Sequence, residues 1–120
     1  MKSEVAQTIL LVDVEPDFLA AARLTLESAG YRVITAIDAH AGLAAVRSGP
    51  VSLAVLDVNL PDGDGYDLCR ELTGTVPVLF LSVRNSMKDI LRGIAAGARD
   101  YLTKPVSRPE LLSAVNRALA

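Results

Sequence analysis

The feature that most constrains this chain is an alternation between short apolar runs and longer segments with one apolar face. The runs are rich in branched residues and too short for helices, which is typical of strands buried on both faces. The predicted strands are 8–13, 31–36, 51–57, 76–82 and 99–103. Because consecutive parallel strands need crossover helices, the alternation predicts an α/β fold with a doubly wound, five-stranded parallel sheet flanked by five helices.

The five intervening helices are predicted from their start signals and their apolar spacing. The start signals are Pro16, Asp38, Asp64, Ser86 and Pro109. The predicted inner faces are Phe18, Ala22, Leu26 and Ala29; Ala39, Leu43 and Val46; Tyr66, Cys69 and Leu72; Met87, Ile90, Leu91 and Ile94; and Leu111, Val115 and Leu119. Helices on both sides of the sheet would bury these faces against it.

Length and charge restrict the classes of function. At 120 residues the chain is expected to form one domain, residues 1–120. Its net charge of −2 favours neither nucleic acid nor anionic lipid. Cys69 is the only cysteine, which excludes an internal disulfide and a cysteine-rich zinc site. No apolar run is long enough to cross a bilayer and no signal peptide opens the chain, so we expect a cytoplasmic protein without membrane contact.

Polar side chains end four of the predicted strands. Asp13 and Asp57 end the first and third, and Ser82 and Lys104 end or follow the fourth and fifth. In the strand order 2-1-3-4-5, the first and third strands are neighbours, so the two acids would lie side by side. A carboxylate nucleophile, a divalent cation, a hydroxyl and an ammonium suit the handling of a phosphoryl group. Mg²⁺ fits such oxygen donors better than zinc does, although Asp57 taken alone is equally well explained as a turn residue.

Three sequence segments carry a resemblance to a known family. They are Leu56-Asp57-Val58-Asn59-Leu60-Pro61-Asp62-Gly63-Asp64-Gly65, then Leu81-Ser82, then Asp100-Tyr101-Leu102-Thr103-Lys104-Pro105. With them, the whole chain resembles a receiver domain of the two-component response-regulator family. The resemblance implies a flavodoxin-like, CheY-like fold, and it leaves open that the chain is the N-terminal part of a longer regulator.

The resemblance also implies roles for individual residues. Asp57 would be the phosphoacceptor, supplied by a sensor histidine kinase or a phosphotransfer protein. Asp13, Asp57 and the backbone carbonyl of Asn59 would bind Mg²⁺. Ser82 would be the switch hydroxyl, Tyr101 the aromatic side chain that reorients with it, and Lys104 the phosphate-contacting lysine. The output would be a change in the surface of helix 4, strand 5 and helix 5, through which a homodimer is also expected. The Lys104–Pro105 bond would be cis.

Two positions depart from the family pattern. Val14 stands where the family has a second acid, and the loss of that carboxylate is predicted to weaken Mg²⁺ binding about tenfold or more. Glu15, one residue later, is a candidate replacement. Val83 stands where the family generally has a small residue, and its bulk is predicted to slow phosphoryl entry or loss.

Two other functions remain open at this stage. A receiver-like module with weakened metal binding would act by constitutive protein–protein interaction. A small phosphatase with a nucleophilic Asp13 would need extra segments to close over its substrate. We expect no enzyme activity beyond self-catalysed phosphorylation and dephosphorylation. His40 is predicted to be a surface residue, and Arg84, Lys88, Arg92 and Arg99 are predicted to form solvated faces.

Overall fold

The structure is a computed structural model that describes residues 6–120. Its strands are β1 (Thr8–Val12), β2 (Arg32–Ala36), β3 (Leu53–Leu56), β4 (Val78–Ser82) and β5 (Asp100–Thr103). They form one parallel sheet in the order β2-β1-β3-β4-β5, so the predicted order is confirmed. A short hairpin follows β3. Its two antiparallel strands, Asn59–Leu60 and Gly63–Asp64, have two residues each.

Five helices connect these strands. They are α1 (Pro16–Ser28), α2 (Ala39–Ser48), α3 (Gly65–Leu72), α4 (Met87–Ala95) and α5 (Arg108–Leu119). The predicted caps Asp38, Asp64 and Ser86 each accept a hydrogen bond from a backbone N–H in the first turn of their helix. Helix α5 begins one residue before Pro109 because Ser107 and Glu110 form a capping box, which stabilises that start.

The core lies on both faces of the sheet. Side chains alternate along each strand, so Leu10 and Val12 of β1 pack on the side of α2, α3 and α4, while Ile9 and Leu11 pack on the side of α1 and α5. All four are at most 1% exposed. This two-sided burial explains the continuous apolar runs in the sequence. Within residues 6–120, no helix is both long and apolar enough to cross a membrane.

The predicted inner face of α4 is wrong. Met87, Leu91 and Ile94 are 70%, 59% and 46% exposed, and only Ile90 packs against the core. The buried position of this helix is Gly93, where an added Cβ would lie 2.8 Å from the Tyr101 ring and 3.0 Å from the Phe80 ring. Since the glycine lets the helix backbone approach these rings closely, the helix turns its glycine side inward and its larger side chains outward.

The predicted inner face of α1 needs one correction. Ala29 lies just beyond the last residue of α1 and is exposed, whereas Ala22 and Leu26 are buried as expected. Leu19 and Thr25 complete the buried face. The helix therefore ends before its apolar spacing does.

Candidate functional site

Two aspartates define the candidate site at the carboxyl edge of the sheet. Asp13 directly follows β1 and Asp57 directly follows β3, and the two strands are paired neighbours. The Asp57 N–H donates to the Val12 carbonyl at 2.9 Å, and the Asp13 N–H donates to the Ala36 carbonyl at 3.1 Å. The sheet hydrogen bonding thus extends to both residues and fixes their backbones. Asp13 is 2% exposed and Asp57 6% exposed, so both are buried acids.

Lys104 brings a positive charge to these acids from the end of β5. Its Nζ lies 2.7 Å from Asp13 Oδ2, 3.4 Å from Asp57 Oδ2 and 3.2 Å from Glu15 Oε1. The Lys104 backbone N–H donates to the Ser82 carbonyl at 2.8 Å, and the bond to Pro105 is cis. One ammonium therefore sits among three carboxylates.

Burial and charge act against each other in this cluster. Burial alone would lower the pKa of Lys104, but the hydrogen bond to Asp13 and the charges of Asp13 and Asp57 outweigh it, so the pKa of the lysine is raised. Burial raises the pKa of Asp13, and the hydrogen bonds from Lys104 and the Glu15 N–H only partly offset that rise. The lysine therefore stays protonated at neutral pH.

Glu15 reaches the cluster from the surface. Its side chain is 62% exposed, yet its carboxylate contacts Lys104. Its backbone N–H donates to Asp13 Oδ1 at 3.0 Å, which orients the acid beside it. Val14, between these two residues, is 46% exposed and offers no ligand atom from its side chain. The third carboxylate near the pocket thus comes from residue 15.

Ser82 is the last residue of β4, the neighbour of β3, and Tyr101 lies on β5, the edge strand beyond β4. Ser82 is fully buried, and its Oγ accepts the Arg84 N–H at 3.2 Å. The Tyr101 hydroxyl donates to the Arg84 carbonyl at 2.7 Å, and the ring packs 5.6 Å from the Phe80 ring, centroid to centroid. Burial raises the pKa of Tyr101 to about 12. The backbone of Arg84 therefore connects both predicted switch residues.

Arg84 makes contacts near the candidate site that the sequence analysis did not predict. Its side chain is 47% exposed, as the prediction of a solvated charge requires, but its Nε also donates to Asn59 Oδ1 at 2.9 Å and its Nη1 lies 3.4 Å from Asp89 Oδ1. Asn59 is exposed at the mouth of the site, two residues after Asp57. The position of Arg84, two residues beyond the end of β4, could have indicated that it faces the Asp57 loop. Arg92 and Arg99 also make specific contacts, with the Tyr66 ring and the Ala118 carbonyl.

The loop after Asp57 is held at both of its ends. The Val58 N–H donates to Asp57 Oδ1 at 2.6 Å. An added Cβ on Gly65 would lie 2.1 Å from the Asp57 carbonyl oxygen, so a side chain at position 65 would collide with backbone. Asp62 accepts the backbone N–H groups of Ala39 and His40, and these bonds lower the pKa of Asp62. His40 itself is exposed in the first turn of α2.

The chemistry of the donors suits a hard cation. Carboxylate oxygens of Asp13 and Asp57 and a backbone carbonyl at Asn59 are the kind of ligand that Mg²⁺ takes. In the described part of the chain, no three histidine, cysteine, aspartate or glutamate side chains are grouped as a metal centre. Instead, Asp13, Glu15 and Asp57 converge on the ammonium of Lys104. A metal would therefore compete with the lysine for the same carboxylates.

Comparisons with known proteins agree with the geometry. Residues 9–116 match the response regulator receiver domain family. The transcriptional regulatory protein KdpE of Mycobacterium tuberculosis is 39% identical over 113 residues, which cover 92% of this chain and 50% of KdpE. The response regulator GtcR of Aneurinibacillus migulanus is 34% identical over 116 residues, covering 95% of this chain and 48% of GtcR. The chain thus spans about half the length of these curated relatives.

Solved structures show the same fold. A CheY-like receiver domain protein from Methanospirillum hungatei superimposes with a TM-score of 0.90 at 30% identity, covering 96% of this chain and 94% of that one. The chemotaxis response regulator CheY4 of Vibrio cholerae gives a TM-score of 0.89 at 28% identity, covering 96% and 100%.

Proposed function

Since the chain belongs to the response regulator receiver domain family and so to the signalling modules of phosphorelays, we propose that Asp57 is its phosphoacceptor. The observation that carries the proposal is the buried Asp57 carboxylate beside Asp13, with the Lys104 ammonium 3.4 Å away. An Asp57 oxygen would attack phosphorus, the P–N bond of a partner phosphohistidine would break, and the imidazole would leave.

The neighbouring residues would stabilise the transferred group. The Lys104 ammonium would move the short distance from Asp13 to the phosphoryl oxygens, where its charge offsets theirs. The Ser82 hydroxyl would leave the Arg84 N–H and donate to another phosphoryl oxygen. When bound, Mg²⁺ would supply positive charge at the phosphoryl group. Asp13, Asp57 and the Asn59 carbonyl are its proposed ligands.

Glu15 is the proposed substitute for the acid that Val14 lacks. Its carboxylate already contacts Lys104, so it reaches the edge of the pocket. We expect Glu15→Gln to weaken Mg²⁺ binding several-fold, because one negative charge near the cation is lost. Titration of Mg²⁺ by calorimetry measures this affinity. Asp17→Asn, a first-turn acid of α1, is the matched control, and equal affinities of the two variants would remove Glu15 from the site.

The proposed output is a change in the face formed by α4, β5 and α5. Movement of Ser82 would release the Arg84 N–H, and the Tyr101 hydroxyl is bonded to the carbonyl of the same residue. The exposed side chains Met87 and Leu91 of α4 form part of this face. A homodimer through it is proposed, and sedimentation velocity of the phosphorylated chain, with Leu91→Glu as the disrupting variant, tests it.

The direct test of the phosphoacceptor is intact mass after incubation with phosphoramidate and Mg²⁺. The wild-type chain is expected to gain one phosphoryl group, and Asp57→Asn to gain none. Asp67→Asn, an exposed acid in the first turn of α3, is the matched control and should gain the group at the wild-type rate. Phosphorylation of Asp57→Asn at that rate would overturn the proposal.

A second candidate function is a receiver-like module that binds a partner constitutively. One observation favours it: Val14 stands where a metal-binding acid is expected, and its side chain provides no metal ligand. In that case, affinity for the partner or for a second copy would be equal with and without phosphodonor. Weak Mg²⁺ binding, with a Kd above the millimolar range, would support this function further.

The remaining assignments follow from the proposed function. We propose that the partner is a sensor histidine kinase or a phosphotransfer protein and that the domain acts in the cytoplasm, where ATP supplies the phosphoryl group. We also propose that residues 1–120 are the receiver part of a longer regulator. The domain would act as a switch whose only reactions are its own phosphorylation and dephosphorylation. Turnover of a phosphate ester that required Asp13 but not Asp57 would instead support a phosphatase.

A further inference from the structure

Phe18 of α1 lies directly against the lysine of the site. The Lys104 Nζ is 4.2 Å from the centroid of the Phe18 ring. The ring also lines a small void beneath Asp13 and Asp57. On its outer side it borders a groove formed with Val83, Lys104, Pro105 and Val106. Phe18 therefore separates the buried acids from the outer groove at the place where the lysine passes.

The face of an aromatic ring attracts an ammonium, and the attraction increases when water is excluded. The Lys104 side chain is only 9% exposed, so little water screens this contact. The ammonium thus has four neighbours, three carboxylates and one neutral ring. The ring differs from the other three because it neither accepts a proton nor binds a metal.

The proposed phosphoryl transfer would use two of the carboxylates that contact the lysine. Asp57 becomes the phosphorylated residue, and Asp13 is the proposed metal ligand. Glu15 is largely exposed, so its hold on the lysine is screened by solvent. The Phe18 ring is the contact that the proposed chemistry leaves unchanged.

We propose that Phe18 is a positioning residue that keeps the Lys104 ammonium beside Asp57 during phosphoryl transfer. The proposal rests on the proposed function of Asp57. Without the ring, the long lysine side chain gains rotamer freedom and spends less time at the phosphoryl oxygens. Loss of the ring is therefore expected to slow phosphoryl transfer, because the lysine must be in place when charge develops on the phosphoryl oxygens.

The first experiment measures the phosphorylation rate with phosphoramidate and Mg²⁺ by intact mass. Phe18→Leu removes the ring and keeps apolar volume, and Phe18→Met is a second ring-free variant should the leucine variant not fold. We expect either to slow phosphorylation about three- to tenfold, the range of a partly desolvated cation–π contact. Phe18→Tyr should restore most of the rate. Leu24→Ala, an exposed position of the same helix, should match the wild type.

A double-mutant cycle shows whether Phe18 acts through the lysine. In a Lys104→Met background, Phe18→Leu is expected to cause no further loss of rate. An equal loss with and without the lysine would overturn the proposal, and so would a loss in Phe18→Tyr as large as that in Phe18→Leu. Either result would show that Phe18 contributes only to packing.

A spectroscopic measurement separates this proposal from the proposed function. The chain has three lysines, Lys2, Lys88 and Lys104, so selective labelling allows assignment of their ε-methylene protons by NMR. Ring current from Phe18 should shift those of Lys104 upfield, and Phe18→Leu should abolish the shift. An unshifted Lys104 would overturn the positioning role even if Asp57 is phosphorylated. A shifted Lys104 in a chain that takes no phosphoryl group would point to failure of the proposed function instead.

Discussion

The pocket around Lys104 and the outer face of α4 are positioned by different means. In the pocket, Asp13 and Asp57 are placed by backbone hydrogen bonds that continue the sheet. In α4, the orientation of the helix depends on how Gly93 packs against the rings of Phe80 and Tyr101. Backbone therefore fixes the first region, and side-chain packing fixes the second.

This difference distinguishes a pocket held by backbone hydrogen bonds from a surface whose orientation depends on side-chain packing. The buried acids have hydrogen-bond partners, whereas α4 exposes large apolar side chains and packs through Gly93 on the rings of Phe80 and Tyr101. A switch needs both kinds of region, because the chemistry requires fixed geometry and the output requires two states of similar free energy.

The largest effect is expected from Gly65→Ala in the pocket. The new Cβ would meet the Asp57 carbonyl oxygen at 2.1 Å and the carbonyl carbon at 3.0 Å, and these backbone atoms cannot move aside as the end of a flexible side chain could. We expect the free energy of unfolding to fall by about 3 kcal/mol or more, measured by urea denaturation. Gly49→Ala, where an added Cβ meets nothing within 4 Å, is the control and should be unchanged or slightly more stable.

A smaller effect is expected from Gly93→Ala in α4. Its Cβ would meet ring atoms of Tyr101 and Phe80 at 2.8 and 3.0 Å, and these rings can shift. Overpacking is partly offset by the better helix propensity of alanine, so we expect a loss of about 1 kcal/mol in the same urea assay. A loss as large as that of Gly65→Ala would show that α4 is held as rigidly as the pocket.

Alkaline pH tests the packing of Tyr101 against α4. Burial raises its folded pKa to about 12, above the value near 10 of an unfolded tyrosine. This contribution to stability is complete below about pH 10 and is lost as pH rises towards 12. We expect the wild type to lose more free energy of unfolding between pH 9 and 10.5 than Tyr101→Phe does, by less than about 1 kcal/mol. Identical pH profiles would contradict burial of the hydroxyl.

The smallest effect is expected from Leu91→Ser on the outer face of α4. Because this side chain is 59% exposed, its loss should change the free energy of unfolding by less than about 0.5 kcal/mol. Leu72→Ala, a leucine that is 1% exposed, is the matched contrast and should cost about 2–5 kcal/mol. Similar losses for the two variants would mean that α4 packs with its apolar side inward.

The sequence was sufficient to predict which residues meet in the pocket, because the topology of the sheet fixes the edge at which each strand ends. Once the order of the strands is known, Asp13, Asp57 and Lys104 must reach the same edge, whatever the details of packing. The capping box of Ser107 and Glu110 was also readable, and using it would have placed the start of α5 correctly.

The sequence was not sufficient where packing decides. Apolar residues of α4 recur at helical spacing on a face that the helix turns outward, so periodicity alone chose the wrong side. The role of Gly93 depends on two rings that come from β4 and β5, which no local pattern reveals. The contacts of Arg84 and Phe18 likewise depend on where loops and helices meet in three dimensions.

The lysine among its three carboxylates has an electrostatic consequence for the donor. Three negative charges and one positive charge leave the pocket with two negative charges. Without a bound cation, these charges would repel a small dianionic phosphodonor that approaches from solution, and the repulsion would weaken as salt shortens the Debye length. Mg²⁺ at the proposed site would cancel the two negative charges, so entry of such a donor is expected to depend on the cation as well as on salt.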